Sequence, residues 1–202
     1  MELHYRIAGD FKPDAHLIGS NTILQGLDQF GDETEIEDYD DFIKPERSEE
    51  IPLWGIIDTQ GKLEGKLHHI RKSEFCRDLV VFVSKITPPS YRTYLKERDY
   101  SSFRVGKNKA DLLSVLEILA RDYESSTVLT DTGKILGNLL LNEGYIQVIS
   151  LLIHPVLVGS KSYPIFDGLK DDIEIELDKV EVLEEIYPWL TYRVLNGTKF
   201  NS

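Results

Sequence analysis

The sequence predicts an α/β protein with a mixed β-sheet. Apolar runs of strand length alternate with segments of helical periodicity over roughly the first three quarters of the chain, which is typical of strands joined by helices. From Ile173 onward apolar and acidic residues alternate one by one, which indicates half-buried, antiparallel strands at the C-terminus. The 202 residues are predicted to form a single domain, 1–202, with an acidic loop at about 32–50.

The first half of the chain contains three short apolar runs, two of which lead into predicted helices. Strands are predicted at 15–18, 51–57 and 79–83. The first ends at Gly19, and Ser20 or Asn21 can cap a helix that starts near Thr22. After the third strand, Thr87-Pro88-Pro89 opens another helix, because proline is tolerated in the first turn.

The second half continues the alternation. Residues 111–123 carry leucines at helical spacing, 127–130 form a strand candidate, and 135–142 form a further helix. Residues 145–155 are nearly all apolar, so we expect a central strand with both faces covered. The alternation is predicted to continue as strand from 173 to 182, with a last strand at 190–194.

The charge balance excludes several classes of partner. Thirty-five acidic residues against 23 basic ones give a net charge of −12, which repels nucleic acid and anionic membrane surfaces. The single cysteine, Cys76, suits a reducing compartment. The chain shows neither a charged-then-apolar leader nor an apolar run of membrane-spanning length. We therefore expect a cytoplasmic protein without nucleic-acid or membrane partners.

The sequence offers little support for nucleophilic catalysis or for metal binding. Cys76 lies among apolar neighbours and is interpreted as an inert core residue, and no Gly-x-Ser-x-Gly elbow exists. His68 and His69 are adjacent and point in different directions, while the other histidines lie in separate segments. We expect no metal, and no catalytic side chain is assigned.

Three turns that follow predicted strands suit a phosphorylated ligand. Unpaired amides and the positive end of the helix dipole make a helix N-terminus favourable for phosphate. The turns are Gly19-Ser20-Asn21-Thr22, Ser84-Lys85-Ile86-Thr87 and Asp131-Thr132-Gly133-Lys134. Because all three follow strands, we expect them to share one crevice. Each is also compatible with ordinary strand-to-helix architecture.

A basic tract lies between two segments rich in acidic residues, 32–50 and 167–185. It consists of Lys62, Lys66, His68, His69, Arg71, Lys72 and Arg77. An anionic ligand would meet the least repulsion here. The alternative is a solvated helix face without a ligand.

Three segments of the chain resemble one family. Residues 14–22 (Asp-Ala-His-Leu-Ile-Gly-Ser-Asn-Thr), 131–144 and 150–159 (ending in Pro155-Val156-Leu157-Val158-Gly159) are similar to the dihydrofolate-reductase-like reductases of riboflavin biosynthesis. Such reductases form the C-terminal domain of a bifunctional deaminase/reductase and also occur as free-standing proteins. The resemblance is spread over most of residues 12–195.

The resemblance implies a dihydrofolate-reductase-like, mixed and mainly parallel sheet with a C-terminal antiparallel hairpin, and often a homodimer. It also implies an NADPH-dependent reductase that converts a ribosylamino-pyrimidine 5′-phosphate to its ribityl form, or reduces a related small heterocycle. Pro155 would then contact substrate, and Arg71, Lys72 or Arg77 would bind the substrate phosphate. The implied cofactor-binding residues are Gly19, Ser20, Asn21, Thr22, Ser84, Lys85, Asp131, Thr132, Gly133, Lys134, Ile135 and Leu136.

The sequence departs from the family pattern at three places. Family members open with a strand and a Ser-Leu-Asp-Gly turn, and no such turn exists here, so the first strand is expected to be missing. The family's paired glycines are Gly133-Lys134, and both acids of its Gly-Leu-Val-Asp-Glu segment are absent from residues 144–148. These departures favour an alternative, a nucleotide-binding or regulatory module without turnover. A dimerising scaffold without a ligand is the third reading.

Overall fold

The computed structural model describes residues 2–30, 37–131, 134–159 and 164–195. The chain forms two compact units, Met1–Thr132 and Gly133–Ser202. Each unit contains its own β-sheet.

The first unit is built on a five-stranded sheet in which every pairing is parallel. Its strand order is β4-β3-β2-β1-β5. The strands are β1 (Ala15–Gly19), β2 (Leu53–Ile57), β3 (Leu79–Val83), β4 (Ser101–Arg104) and β5 (Val128–Leu129). The predicted strands at 15–18, 51–57, 79–83 and 127–130 are thus confirmed within a few residues. Strand β4 was not predicted, because its sequence Ser-Ser-Phe-Arg lacks an apolar run.

In the described part of the first unit, five α-helices and a 3₁₀ turn accompany this sheet. They are α1 (Glu2–Asp10), α2 (Ser20–Phe30), the 3₁₀ turn Asp40–Phe42, α3 (Leu67–Arg71), α4 (Pro89–Glu97) and α5 (Leu112–Asp122). Asp111 caps α5 by accepting a hydrogen bond from the Ser114 N–H at 3.4 Å, which satisfies one orphan donor of the first turn. In the parts of the chain that are described, no helix combines the length and apolarity needed to cross a bilayer.

Strand β3 lies at the heart of the core, because all five of its side chains are buried. Alternate residues point to opposite sheet faces, so both faces at β3 are covered. The main apolar cluster joins β1, β2 and β3 to α2, α3 and α4, and includes Ile18, Ile56, Val81, Leu67 and Tyr91. Cys76 belongs to it, and burial together with the nearby Asp78 raises the pKa of its thiol to about 12. Its interpretation as a core residue is confirmed.

Where the second unit is described, it combines one helix with a three-stranded antiparallel sheet. Its elements are α6 (Lys134–Asn142), β6 (Val148–Leu152), β7 (Ile175–Leu183) and β8 (Tyr187–Val194), and the strand order is β6-β8-β7. The β7–β8 hairpin agrees with the antiparallel C-terminus predicted from the sequence.

The prediction of a central strand at 145–155 is wrong. Strand β6 pairs, within the described ranges, only with β8, and it does so antiparallel at an edge of its sheet. Val148 is 45% exposed, and the remainder of the strand is half-buried. A continuous apolar run indicates that burial is favourable, but it does not specify whether a neighbour on each side of the strand provides it.

The alternation predicted across 173–182 is interrupted within β7. The register shifts between Leu177 and Lys179, so Asp178 occupies a bulge. Ile175 and Leu177 come before the bulge, and Val180 and Val182 come after it. Because of the register shift, all four side chains lie on the same face of the sheet.

Gly106 provides a test of the local backbone after β4. Its φ is +78°, and a Cβ atom would lie 2.1 Å from the Lys109 carbonyl oxygen. We expect Gly106→Ala to lower the free energy of unfolding by roughly 1–3 kcal/mol, because the side chain meets both left-handed strain and fixed backbone. Urea denaturation followed by circular dichroism measures this change.

The matched control is Gly9→Ala in α1, where nothing lies within 4 Å of the added Cβ. This substitution should leave stability unchanged or raise it by up to about 1 kcal/mol. Equal effects of the two substitutions would contradict the assignment of strain to Gly106.

Candidate functional site

The candidate site lies at the carboxyl ends of the strands of the five-stranded sheet. We call this side of the sheet its carboxyl edge, or simply the edge. Because all strands of this sheet are parallel, the segments that follow β1, β2, β3 and β5 emerge on the same side. The predicted residues of the first unit, 19–22, Ser84, Lys85 and Asp131, all follow these strands. The parallel order therefore brings them to one edge, as expected for a shared site.

The turn after β1 has no intervening residue. Strand β1 ends at Gly19 and helix α2 begins at Ser20. Asn21 is exposed, and Gly19, Ser20 and Thr22 are half-buried, while Ile23 is buried in the core. A helix that starts directly at the sheet edge directs its first amides and its positive dipole end there. This arrangement suits the binding of an anionic group.

The segment after β2 contributes to the site and was missed in the sequence analysis. Asp58 directly follows β2 and is 0% exposed. Its N–H donates to the Phe82 carbonyl at 3.1 Å, and its Oδ2 accepts a hydrogen bond from the Leu63 N–H at 2.9 Å. The carboxylate therefore holds residues 58–63 in a closed loop. An acidic residue immediately after a strongly apolar run was the signal that could have revealed it.

Two hydrogen bonds join this loop to its neighbours. Lys62 Nζ donates to Asn21 Oδ1 at 2.7 Å, and Thr87 Oγ1 donates to the Thr59 carbonyl at 2.7 Å. Gly61 allows the loop to pack closely, because its φ is +71° and a Cβ would lie 2.9 Å from the Tyr91 ring. The loops after β1, β2 and β3 thus form one connected surface.

The turn after β3 differs from a phosphate-binding turn. Ser84 is fully buried, and its N–H donates to Thr87 Oγ1 at 2.9 Å. The Lys85 N–H donates to the Gly106 carbonyl at 3.3 Å, and the following helix α4 begins with proline. The amides of Ser84 and Lys85 are engaged within the protein, so this turn offers a ligand the exposed Lys85 side chain.

Asp131 follows β5 and forms an ion pair with His4. Its Oδ2 lies 2.9 Å from His4 Nε2, and each side chain is about half exposed (54% and 48%). The hydrogen bond with Asp131 raises the pKa of His4, and the same bond lowers the pKa of Asp131. Nearby, burial lowers the pKa of His16 to about 4. Thr132 and Gly133, predicted to contact the cofactor, lie outside the described residues.

The remaining predicted residues belong to the second unit. Lys134 Nζ forms an ion pair with Asp167 Oδ2 at 2.9 Å. Ile135 is 65% exposed, whereas Leu136 is buried. Pro155 is exposed in the segment after β6.

Arg71 does not fit its predicted role as a substrate-binding cation. It is 3% exposed, and its Nε lies 3.2 Å from Asp78 Oδ1. Its Nη atoms donate to the carbonyls of Asp41, Arg98 and Asp99, and its guanidinium stacks on the Tyr100 ring. A buried guanidinium that binds four internal acceptors is a structural crosslink. The solvated helix face considered as an alternative is equally wrong for this residue.

The acidic loop is also more structured than the sequence indicates. Asp41 is 5% exposed, and Lys72, another candidate cation, lies 2.9 Å from its Oδ1. Arg47 donates to the carbonyls of Ser73 and Cys76, and Arg77 donates to the Glu49 carbonyl at 3.3 Å. Several residues of the basic tract therefore fix the acidic segment to the protein.

The described residues contain no group of three or more His, Cys, Asp or Glu side chains placed to hold a metal ion. Amides of a helix start, hydroxyls and the cations Lys62 and Lys85 dominate the edge instead. This set of groups suits recognition of a phosphorylated ligand more than acid–base or nucleophilic chemistry.

The two sheets, with their strand orders and helices, define a dihydrofolate-reductase-like α/β protein. The sequence matches the family described as RibD C-terminal domain over residues 10–187. The chain belongs to this family, as the resemblance of its motifs predicted.

Solved structures share the fold. The RibD protein of Acinetobacter baumannii superimposes with a TM-score of 0.68 at 18% identity, covering 96% of this chain and 51% of that one. A pyrimidine reductase-like protein of Corynebacterium diphtheriae gives 0.64 at 14% identity, covering 92% and 78%. The riboflavin biosynthesis reductase of Saccharomyces cerevisiae gives 0.61 at 17%, covering 90% and 75%. The chain thus spans about half the length of the Acinetobacter protein. No curated protein matches it significantly in sequence.

The His4–Asp131 pair predicts a pH-dependent contribution to stability. The raised pKa of His4 means that its contribution is complete below the ordinary value of 6.5 and is lost as pH rises through the folded-state pKa. The lowered pKa of Asp131 means that its contribution holds above 3.8 and is lost as pH falls through the folded-state value. The window of stabilisation therefore lies between these limits.

We expect His4→Gln to destabilise the protein more at pH ~5.5 than at pH ~8, by less than about 1 kcal/mol because the pair is half exposed. Urea unfolding of both proteins at both pH values measures the difference, and comparison with the parent cancels the other histidines. A destabilisation that grows with pH would contradict the assignment.

Proposed function

We propose that this chain is an NADPH-dependent reductase of the riboflavin-biosynthesis type. Its substrate would be a ribosylamino-pyrimidine 5′-phosphate, reduced from ribosyl to ribityl, or a related small heterocycle. The observation that carries the proposal is membership of the RibD C-terminal domain family over residues 10–187. The edge of the parallel sheet supplies groups that suit a phosphorylated dinucleotide, which supports the same conclusion.

The residues of the first unit would hold the dinucleotide by its charged groups. The start of α2, residues 19–22, would receive a phosphate, with Thr22 as a side-chain contact. Lys62, which donates to Asn21 at 2.7 Å, adds a positive charge beside this helix start. Lys85 would neutralise a 2′-phosphate at the adenosine end as a point charge. When bound, NADPH supplies the hydride, and the protein contributes position and electrostatics.

The family resemblance also assigns Ile135 and Leu136 to the cofactor and Pro155 to the substrate. Within the second unit Ile135 and Pro155 are exposed, whereas Leu136 is buried, so Leu136 would act through packing. Arg71 is not proposed as a phosphate ligand, because its guanidinium binds groups inside the first unit. We assign no catalytic side chain.

A nucleotide-binding module without turnover is the second candidate. Lys134 stands where the family has the second glycine of a pair, and its ammonium group is paired with Asp167. The acids that the family carries after α6 are replaced in the segment 144–148. These differences would alter hydride transfer more than they would alter binding at the first unit.

We further propose that both units belong to one dihydrofolate-reductase-like domain, 1–202, and that the protein is a cytoplasmic homodimer. The absence of a candidate membrane-spanning helix among described residues and the single buried cysteine are compatible with this location.

The proposed activity is tested by two measurements on the full chain. Titration with NADPH, followed by nicotinamide fluorescence, should give saturable binding. Mixing with the pyrimidine ribosyl-phosphate should then oxidise NADPH, seen as loss of the absorbance of reduced nicotinamide. Binding without oxidation would favour the module, and absence of binding would contradict both candidates.

Lys85 provides a test of cofactor selectivity. We expect Lys85→Gln to weaken NADPH binding about 10-fold and to leave NADH binding unchanged, because a charge-assisted hydrogen bond to the 2′-phosphate is lost. Lys96→Gln serves as the control, since Lys96 is an exposed lysine at the opposite end of α4. Parallel losses for NADPH and NADH, or an equal loss in the control, would refute this role.

A further inference from the structure

His4 and Asp131 form a carboxylate–imidazole pair in the first unit. His4 Nε2 lies 2.9 Å from Asp131 Oδ2, and each side chain is about half exposed. The pair uses Nε2, which leaves the other ring nitrogen, Nδ1, for a second partner. Histidine transfers protons when a carboxylate holds one ring nitrogen and the other nitrogen meets the substrate. The pair is therefore suited to give a proton to a ligand.

Strand pairing places Asp131 beside the start of helix α2. Strands β1 and β5 pair as far as His16 and Leu129, and the Thr130 hydroxyl donates to the Leu17 carbonyl at 2.9 Å. The chain after β5 thus stays beside β1 up to Thr130, and Asp131 emerges next to the end of β1. Because α2 begins at that end, Asp131 lies at the carboxyl edge, close to the proposed phosphate position.

Helix α1 brings His4 to the same edge. The helix precedes β1 and ends at Asp10, so its last turn leads toward the amino end of that strand. Its nine residues span about 13 Å, and His4 lies in its first turn. The contact with Asp131 fixes this first turn at the carboxyl end of the sheet. An imidazole therefore reaches the edge at which the dinucleotide is proposed to bind.

Two imidazoles lie near Asp131, and His4 is the one that can carry a proton near neutral pH. The hydrogen bond with Asp131 raises the pKa of His4 from the ordinary 6.5, against the opposing effects of burial and of the positive charge at the amino terminus. Burial lowers the pKa of His16 to about 4, and within the described ranges its buried Nε2 has no hydrogen-bond partner. The Tyr5 ring also faces His4, with 5.5 Å between the ring centroids. His16 is thus neutral and does not compete with His4 for the carboxylate.

We propose that His4 is the general acid of the reduction and that Asp131 is its positioning residue. The inference rests on the proposed reductase activity and names the source of the proton that this activity consumes. His4 contacts the substrate through Nδ1. Asp131 acts through His4, because it fixes the orientation of the ring and stabilises its positive charge.

The proton is consumed at the ring oxygen of the sugar. Nδ1–H of protonated His4 donates it to O4′ as the C1′–O4′ bond breaks, and the lone pair of the attached nitrogen forms a C1′=N double bond. When bound, the reduced nicotinamide supplies a hydride to C1′ and is oxidised, while the electron pair of the C1′=N bond returns to nitrogen. His4 is left neutral and takes a proton from water, to which its half-exposed ring is accessible.

The first test compares single-turnover oxidation of NADPH by the full chain and by His4→Gln, each mixed with the pyrimidine ribosyl-phosphate. We expect His4→Gln to be about 100-fold slower, since general acids contribute roughly 10²–10⁴-fold, and to bind NADPH with unchanged affinity. The rate of the parent protein should be constant at low pH and decline as pH rises through the pKa of His4, because the acid must be protonated. His4→Gln should lack this decline.

Arg6→Gln is the matched control, because it removes a positive charge from an exposed position two residues further along α1. It should retain both the rate and the decline with pH. Asp131→Asn should move the decline to lower pH, because the carboxylate that bonds His4 and raises its pKa is lost. Titration of the imidazole resonances by NMR, without any ligand, measures the same pKa independently of activity.

Several outcomes overturn the proposal. A loss of less than about 10-fold in His4→Gln does so, since it lies below the range of general acid catalysis, and so does a decline with pH that persists in this variant. If His4→Gln does not fold, Asp131→Asn decides, because its rate profile must shift together with the pKa of His4 measured by NMR. A parent protein that does not oxidise NADPH refutes the reductase and its proton donor together, whereas an active parent with an equally active His4→Gln refutes the role of His4 alone.

Discussion

Parallel pairing of the strands in the first unit is the constraint on which the candidate site depends. A parallel strand cannot return through a tight turn, so each connection must cross back to the opposite end of the sheet. All the segments that leave the strands therefore share one edge, and helix α2 starts there. Strand β3 anchors the sheet in the core, because all five of its side chains are buried.

Two buried polar side chains, Asp58 and Arg71, hold the segments around this edge in place. Asp58 closes the loop after β2 through the Leu63 amide, and that loop carries Lys62 to Asn21. Arg71 connects α3 to Asp78 and to the backbone at the end of α4. Both side chains bind internal partners, so they hold the surrounding segments in place and do not bind a ligand themselves.

The sequence predicted those features that depend on local patterns. Strands such as Leu79–Val83 and the helix Leu112–Asp122 were evident in the order of apolar and turn residues. The family was evident from the resemblance of residues 14–22, 131–144 and 150–159. Other features depend on tertiary packing. The burial of Arg71 requires Asp78 and three carbonyls that are brought together only by folding, and β6 is at an edge because of a pairing that periodicity does not encode. At the site, the turn after β1 was predictable, whereas the use of the Ser84 amide by Thr87 was not.

The two tryptophans are divided between the two units. The chain has two tryptophans, and one lies in each sheet. Trp54 sits in β2, donates its ring N–H to the Phe75 carbonyl at 3.0 Å and faces the imidazole of His16. Trp189 lies in β8, is 4% exposed and donates to Ser150 at 2.8 Å. Each unit therefore contains one tryptophan. Replacing either tryptophan by phenylalanine would leave a tryptophan fluorescence signal that reports the unfolding of the other unit.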